Sequence, residues 1–177
     1  VEPGTSLPIA PRIITSDDVY RLATWQNVTI AVFAGDVDTV RIMRIARAHR
    51  ELAIEYPKGI VAFTIVRPGV PIASQGARDE AAKFIKELGG VLQRSALVLE
   101  DTGIMAQVLR TVVRGINIVT RNPKLVLCTE LDDAIRSLTP LVAPPQPGSD
   151  VRAELAAAVA KVRKGYEPQP FQQPAQR

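Results

Sequence analysis

Side chains able to do chemistry are few and scattered along this chain. Among 177 residues there is one histidine, His49, and one cysteine, Cys128. One cysteine excludes an internal disulfide framework and a cysteine-rich zinc site. A single histidine argues against a His-Asp-Ser apparatus and a multi-histidine metal centre, and a lone one is a poor metal ligand. No glycine loop carries the lysine of a phosphate-binding loop, so nucleotide hydrolysis has no support. Gly35, Asp36 and Asp38 set two carboxylates at a strand end, where open α/β sheets take ligands. The same carboxylates suit helix capping, the reading preferred here. Glu100-Asp101 follows a later strand, but no lysine follows Leu125–Cys128 to face it; Thr129-Glu130 does.

The basic residues form a second group. Arg41, Arg44, Arg47 and Arg50 recur every three residues. On a helix each such step turns about 300°, so the row drifts across half of the surface. It could meet acidic partner residues or lipid headgroups, or be a solvated face moderated by Glu51 and Glu55. Arg110 and Arg114, one turn apart, could clamp an anion or solvate an exposed face. Ser74 opens a helix, where a hydroxyl serves as an N-cap and where a phosphate would also be favoured. Cys128 ends an apolar strand and reads as a small core residue.

Composition narrows the classes further. Net charge is +4, yet residues 151–177 hold five basic side chains against two acidic, leaving 17 against 16 for residues 1–150. A nucleic-acid domain concentrates its excess in the folded body, and 5% aromatic content is thin for a base-stacking platform. No specific nucleic-acid partner is therefore expected. No apolar run approaches the ~20 residues of a membrane span, and Val1-Glu2-Pro3-Gly4 shows no basic or apolar leader. A cytoplasmic protein is the expectation, with peripheral lipid contact left open.

Hydropathy patterning then supplies the elements that must position these residues. Residues 1–16 read as a weakly patterned lead-in. Alternation over Val19–Trp25 and Val28–Ala34 around Gln26-Asn27 predicts a hairpin. Asp36 or Asp38 caps a helix from about Thr39 to Tyr56, with Val40, Met43, Ala46 and Ala53 inward and Pro57 as its stop. The β-branched run Gly59–Val66 reads as a central strand buried on both faces. A second helix runs from near Ser74 to Leu88, presenting Ala81, Phe84, Ile85 and Leu88 to the core and ending at Gly89-Gly90. Strand Ser95–Leu99, a helix over roughly Gly103–Val113 and strand Lys124–Cys128 follow. Thr129 with Asp132 resembles a capping box for a short helix ending near Leu138. Prolines mark a linker over 143–148. A helix over 149–164 carries Val151, Leu155, Val159 and Val162 on one stripe, and a disordered tail spans 165–177.

The order ββαβαβαβα requires mainly parallel pairing after the first hairpin. Over residues 17–142 it resembles the STAS-like (anti-sigma-factor-antagonist-like) superfamily. The likeness rests on the opening hairpin, Ala34-Gly35-Asp36-Val37 before the first helix, the buried strand Ile60–Val66, and the strand-helix pair Leu125–Leu138. A receiver-like or flavodoxin-like domain is the competing fold. The expected fold is α/β, a mainly parallel sheet with an N-terminal β-hairpin and flanking helices, plus a C-terminal helix. The resemblance implies a non-enzymatic regulatory or scaffolding domain acting on a protein partner or as a homo-oligomer, without cofactor or metal. In regulatory members a phosphorylatable serine lies where this chain has Val70-Pro71-Ile72-Ala73-Ser74-Gln75-Gly76, so Ser74 is the counterpart, without the acidic residue and serine pair of that motif. Arg44, Arg47 and Ser74 are the candidate partner-binding residues. A small-ligand or lipid-binding domain is the alternative, which a large apolar pocket between sheet and helices would favour.

Overall fold

A computed structural model describes residues 10–100 and 124–166, together with Gln107, Arg110 and Thr111. Six strands form one sheet in sequential order: β1 (Arg12–Ser16), β2 (Tyr20–Trp25), β3 (Val28–Phe33), β4 (Ile60–Val66), β5 (Leu92–Leu99) and β6 (Leu125–Cys128). The first three pair antiparallel and β3 through β6 pair parallel, so the sheet is mixed. Helix α1 (Thr39–Glu55) joins β3 to β4, and α2 (Gln75–Leu88) joins β4 to β5. Helix α3 (Leu131–Leu138), a short 3-10 turn (Thr139–Leu141) and α4 (Val151–Arg163) follow β6.

The alternation of side chains along each strand divides the core into two layers. Tyr20, Leu22, Ala31 and Phe33 point to one face, where Ile42, Ile45 and Ala46 of α1 and Phe84 of α2 cover them. Trp25, Ile30, Phe63, Ile65 and Val98 point to the other, under Ile135 and Leu138 of α3 and Leu155, Val159 and Val162 of α4. Strand β4 lies between parallel neighbours with Phe63 and Ile65 wholly buried, as its unbroken apolar run predicts.

Helix ends follow local chemistry. Asp38 caps α1, its Oδ1 accepting from the Arg41 amide at 2.8 Å. Ser74 caps α2, its hydroxyl accepting from the Ala77 amide at 3.2 Å. That helix stops at Gly89, whose φ of 48° suits a residue without Cβ. The hairpin turns through Gln26, at φ 50°, and Asn27, with Trp25 opposite Val28. Among the described residues no helix is long and apolar enough to cross a membrane.

Five readings need correction. The lead-in is not wholly unpatterned, since Arg12–Ser16 forms edge strand β1; its largely exposed side chains gave no alternation to detect. Val40 and Met43 do not face the core but are 58% and 54% exposed. The buried stripe is instead Ile42, Ile45, Ala46, His49 and Leu52. At about 100° per residue, Met43 is rotated off that denser arc, and covering the sheet favours the arc with more apolar surface. Thr129 does not cap α3: Glu130 is the N-cap residue, with no side-chain cap bond, while Asp132 pairs with Arg136 and Arg152. Strand β5 begins three residues early, at Leu92. The helix expected over Gly103–Val113 lies outside the described residues, except that Gln107, Arg110 and Thr111 are helical. Tyr166, expected in the disordered tail over 165–177, is instead buried, its hydroxyl donating to the Tyr20 carbonyl that only the folded sheet brings near. Arg114 and residues 167–177 lie outside the described residues.

Candidate functional site

The charged candidates resolve mostly into local pairs. Besides its capping bond, Asp38 lies 3.6 Å from the Arg41 guanidinium, and the Asp36 carbonyl accepts from Arg41 Nη1 at 2.5 Å. Gly35 is needed because a Cβ there would sit 2.7 Å from Val19 Cβ. Among the described residues no group of three or more His, Cys, Asp and Glu could hold a metal ion. Glu100 is half-buried between two guanidiniums, those of Arg67 and, at 2.8 Å, Arg163. Asp101 lies outside the described residues. Burial pushes the Cys128 thiol above its ordinary range, which suits a core residue and not a nucleophile.

Arg44 and Arg47 are exposed on the outer side of α1, where Arg47 Nε donates to Glu51 Oε1 at 2.8 Å. Ser74 is exposed at the start of α2. A Cβ on Gly76 would lie 3.0 Å from Thr39 Oγ1, so the N-terminal turns of the two helices abut. Ser74 is thereby set beside the first turn of α1, and Arg47 stands about 12 Å further along that helix. Exposed Val40 and Met43 occupy the turns between.

Beneath these turns is a cavity of about 190 Å³ between the sheet and helices α1 and α2. Small residues at facing positions create it. Ala62 of β4 pairs in register with Ser95 of β5, and α2 brings Ala77 and Ala81 over them. Phe33, Ile45, Phe84 and Leu97 wall the space, and Val70, Pro71, Ile72 and Ala73 line the end below Ser74. Thr64, Ser95, His49 and Arg78 are its polar lining residues. Burial drives the His49 pKa down to about 4, against which its bond to the Ile45 carbonyl acts only partly, so the imidazole is neutral at pH 7. Arg78 alone brings a formal charge among the described lining residues.

Neither Arg78 nor the cavity was legible in the sequence. Ala62, Ser95, Ala77 and Ala81 are ordinary residues for their elements, and only the pairing of β4 with β5 under α2 sums their small volumes into one space. Fold and cavity together define a helix–sheet–helix α/β domain with an apolar chamber under one helical layer. Set beside known proteins, the chain matches no family model, no curated protein and no solved structure.

Proposed function

We propose that this chain is a non-enzymatic binding domain whose apolar cavity takes a small apolar ligand. The observation that carries the reading is the 190 Å³ space walled by Phe33, Ile45, Phe84 and Leu97. An engineered apolar cavity of about 150 Å³ binds benzene, while pockets for drug-sized molecules span roughly 300–1,000 Å³. A single ring or a short aliphatic chain is the matching size. The test is thermal unfolding of the full chain with benzene and with octan-1-ol, in the wild type and in Ala81→Leu. Ligand should raise the melting temperature of the wild type and not of the filled variant, which folds with equal or greater stability. No rise with either ligand, or an equal rise in both proteins, would sink the reading.

Regulatory contact with a protein partner is the second reading, and the exposed pair Val40 and Met43 beside Arg44 favours it. Large apolar side chains left in water next to a positive charge without an ion pair among the described residues suit a partner with an apolar centre and an acidic rim. Membership of the STAS-like superfamily is part of the same reading. Its support is the sequential strand order with α1 and α2 packed on one face of the sheet.

A further inference from the structure

Arg78 is out of keeping with the rest of the cavity lining. It occupies the first turns of α2, next to the positive end of the helix dipole, with no acidic residue in the first turn to offset it. Its Nη2 donates to Gln75 Oε1 at 2.5 Å. Its Nε is buried and has no hydrogen-bond partner, and no carboxylate pairs with the guanidinium among the described residues. The nearby Asp79 carboxylate takes the Gln75 amide instead. A buried guanidinium N–H is costly to leave without an acceptor, and an anion is the acceptor that suits a guanidinium best.

Resting on the cavity reading above, we propose that the ligand is a short amphipathic monocarboxylate, its tail among Phe33, Phe84 and Leu97 and its carboxylate paired with Arg78. The guanidinium is a planar fork that matches the two oxygens of a carboxylate. The first turn of α2 adds positive potential at the same end of the cavity. Thr64 and Ser95 carry no charge, so nothing deeper in the lining competes for the headgroup. The volume matches one short chain better than the two chains of a lipid.

The experiment titrates the full chain with octanoate, octan-1-ol and octylamine at neutral pH, by calorimetry, in the wild type, Arg78→Gln and Arg78→Lys. Folding of each protein is checked first by circular dichroism. In the wild type octanoate should bind about tenfold more tightly than octan-1-ol, as a charge-assisted pair predicts, and octylamine should bind least. Arg78→Gln should collapse the acid-over-alcohol ratio towards one, and Arg78→Lys should keep part of it. Added salt should narrow the ratio. Equal binding of acid and alcohol by the wild type, or an undiminished ratio in Arg78→Gln, overturns the Arg78 pairing while the cavity reading stands. Binding of none of the three probes overturns both.

Discussion

Thr29 Oγ1 and His49 Nε2 lie 3.0 Å apart in the closed layer between β3 and α1, both side chains out of contact with water. The opposite ring nitrogen, Nδ1, lies 2.8 Å from the Ile45 carbonyl. A carbonyl can only accept, so Nδ1 carries the proton and Nε2 accepts from the Thr29 hydroxyl. The histidine is thus a satisfied core residue that ties the first helix to the sheet, with the Phe84 ring 5.5 Å away.

This neutral imidazole makes stability depend on pH. In the unfolded chain it titrates near 6.5, and in the folded protein near 4. Between those values the unfolded chain binds the extra proton, so acidification removes stability from about pH 6.5 down to about pH 4. The loss is on the order of 3 kcal/mol. Glu87 and Asp132, held low by hydrogen bonds from Arg50 and Arg152, add their loss further down, below the ordinary carboxylate range. Urea unfolding at several pH values should show the upper slope in the wild type. It should be absent from the double variant Thr29→Val/His49→Leu, because the chain has no other histidine.

Asn27 should prove the most sensitive polar residue of the hairpin. Its Nδ2 donates to the Gly59 carbonyl at 3.0 Å and the Leu141 carbonyl at 2.9 Å, and its Oδ1 accepts from the Ala143 amide at 2.7 Å. One side chain thus joins the β2–β3 turn to the start of β4 and to the segment after α3. Asn27→Ala leaves several of these groups unpaired in a largely buried place. We expect a loss of about 2–4 kcal/mol in chemical denaturation. An effect below about 0.5 kcal/mol would mean that water replaces the bonds.

Helix α4 belongs to the core of this structure. Leu155, Val159 and Val162 are buried against the sheet. Arg21 of β2 donates to the Val162 and Lys164 carbonyls at 2.9 and 2.8 Å, a cation at the helix C-terminus. Tyr166 lies under the same guanidinium, its ring centre 4.8 Å away, and its hydroxyl donates to the Tyr20 carbonyl at 3.1 Å. Leu155→Ala should cost about 2–5 kcal/mol. Removal of residues 149–177 should leave a protein with a broad, low-temperature transition that binds a hydrophobic dye. A truncated chain that melts like the full one would show that the helix adds no stability.

Charge reversal at Arg44 and Ser74→Asp should leave the melting temperature unchanged, and reversal at Arg47, which loses its pair with Glu51, should lower it only slightly. All three side chains are exposed, and Asp caps a helix as well as Ser. These variants therefore probe contact with a partner without disturbing the fold. Loss of binding to a partner in any of them marks this surface, and undisturbed binding in all three removes it from the second functional reading.

Periodicity along the chain determined the elements that bury one clear face. The hairpin around Gln26-Asn27, the strand Ile60–Val66 and the stripe of Leu155, Val159 and Val162 are all legible in it, because burial of a whole run leaves a repeating signal. Local capping chemistry at Asp38 and Ser74 was legible too, since each cap bonds within three residues of itself. Tertiary structure alone decided the rest. Two arcs of α1 competed for the sheet, and only packing chose Ile42, Ile45 and His49 over Val40 and Met43. The bonds of Asn27 to Leu141 and Ala143, and those of Arg21 to Val162 and Lys164, span more than a hundred residues, and the cavity is a sum of small volumes from three elements. Neither kind of relation leaves a mark in a local window, because its partners meet only once the strands have taken their order.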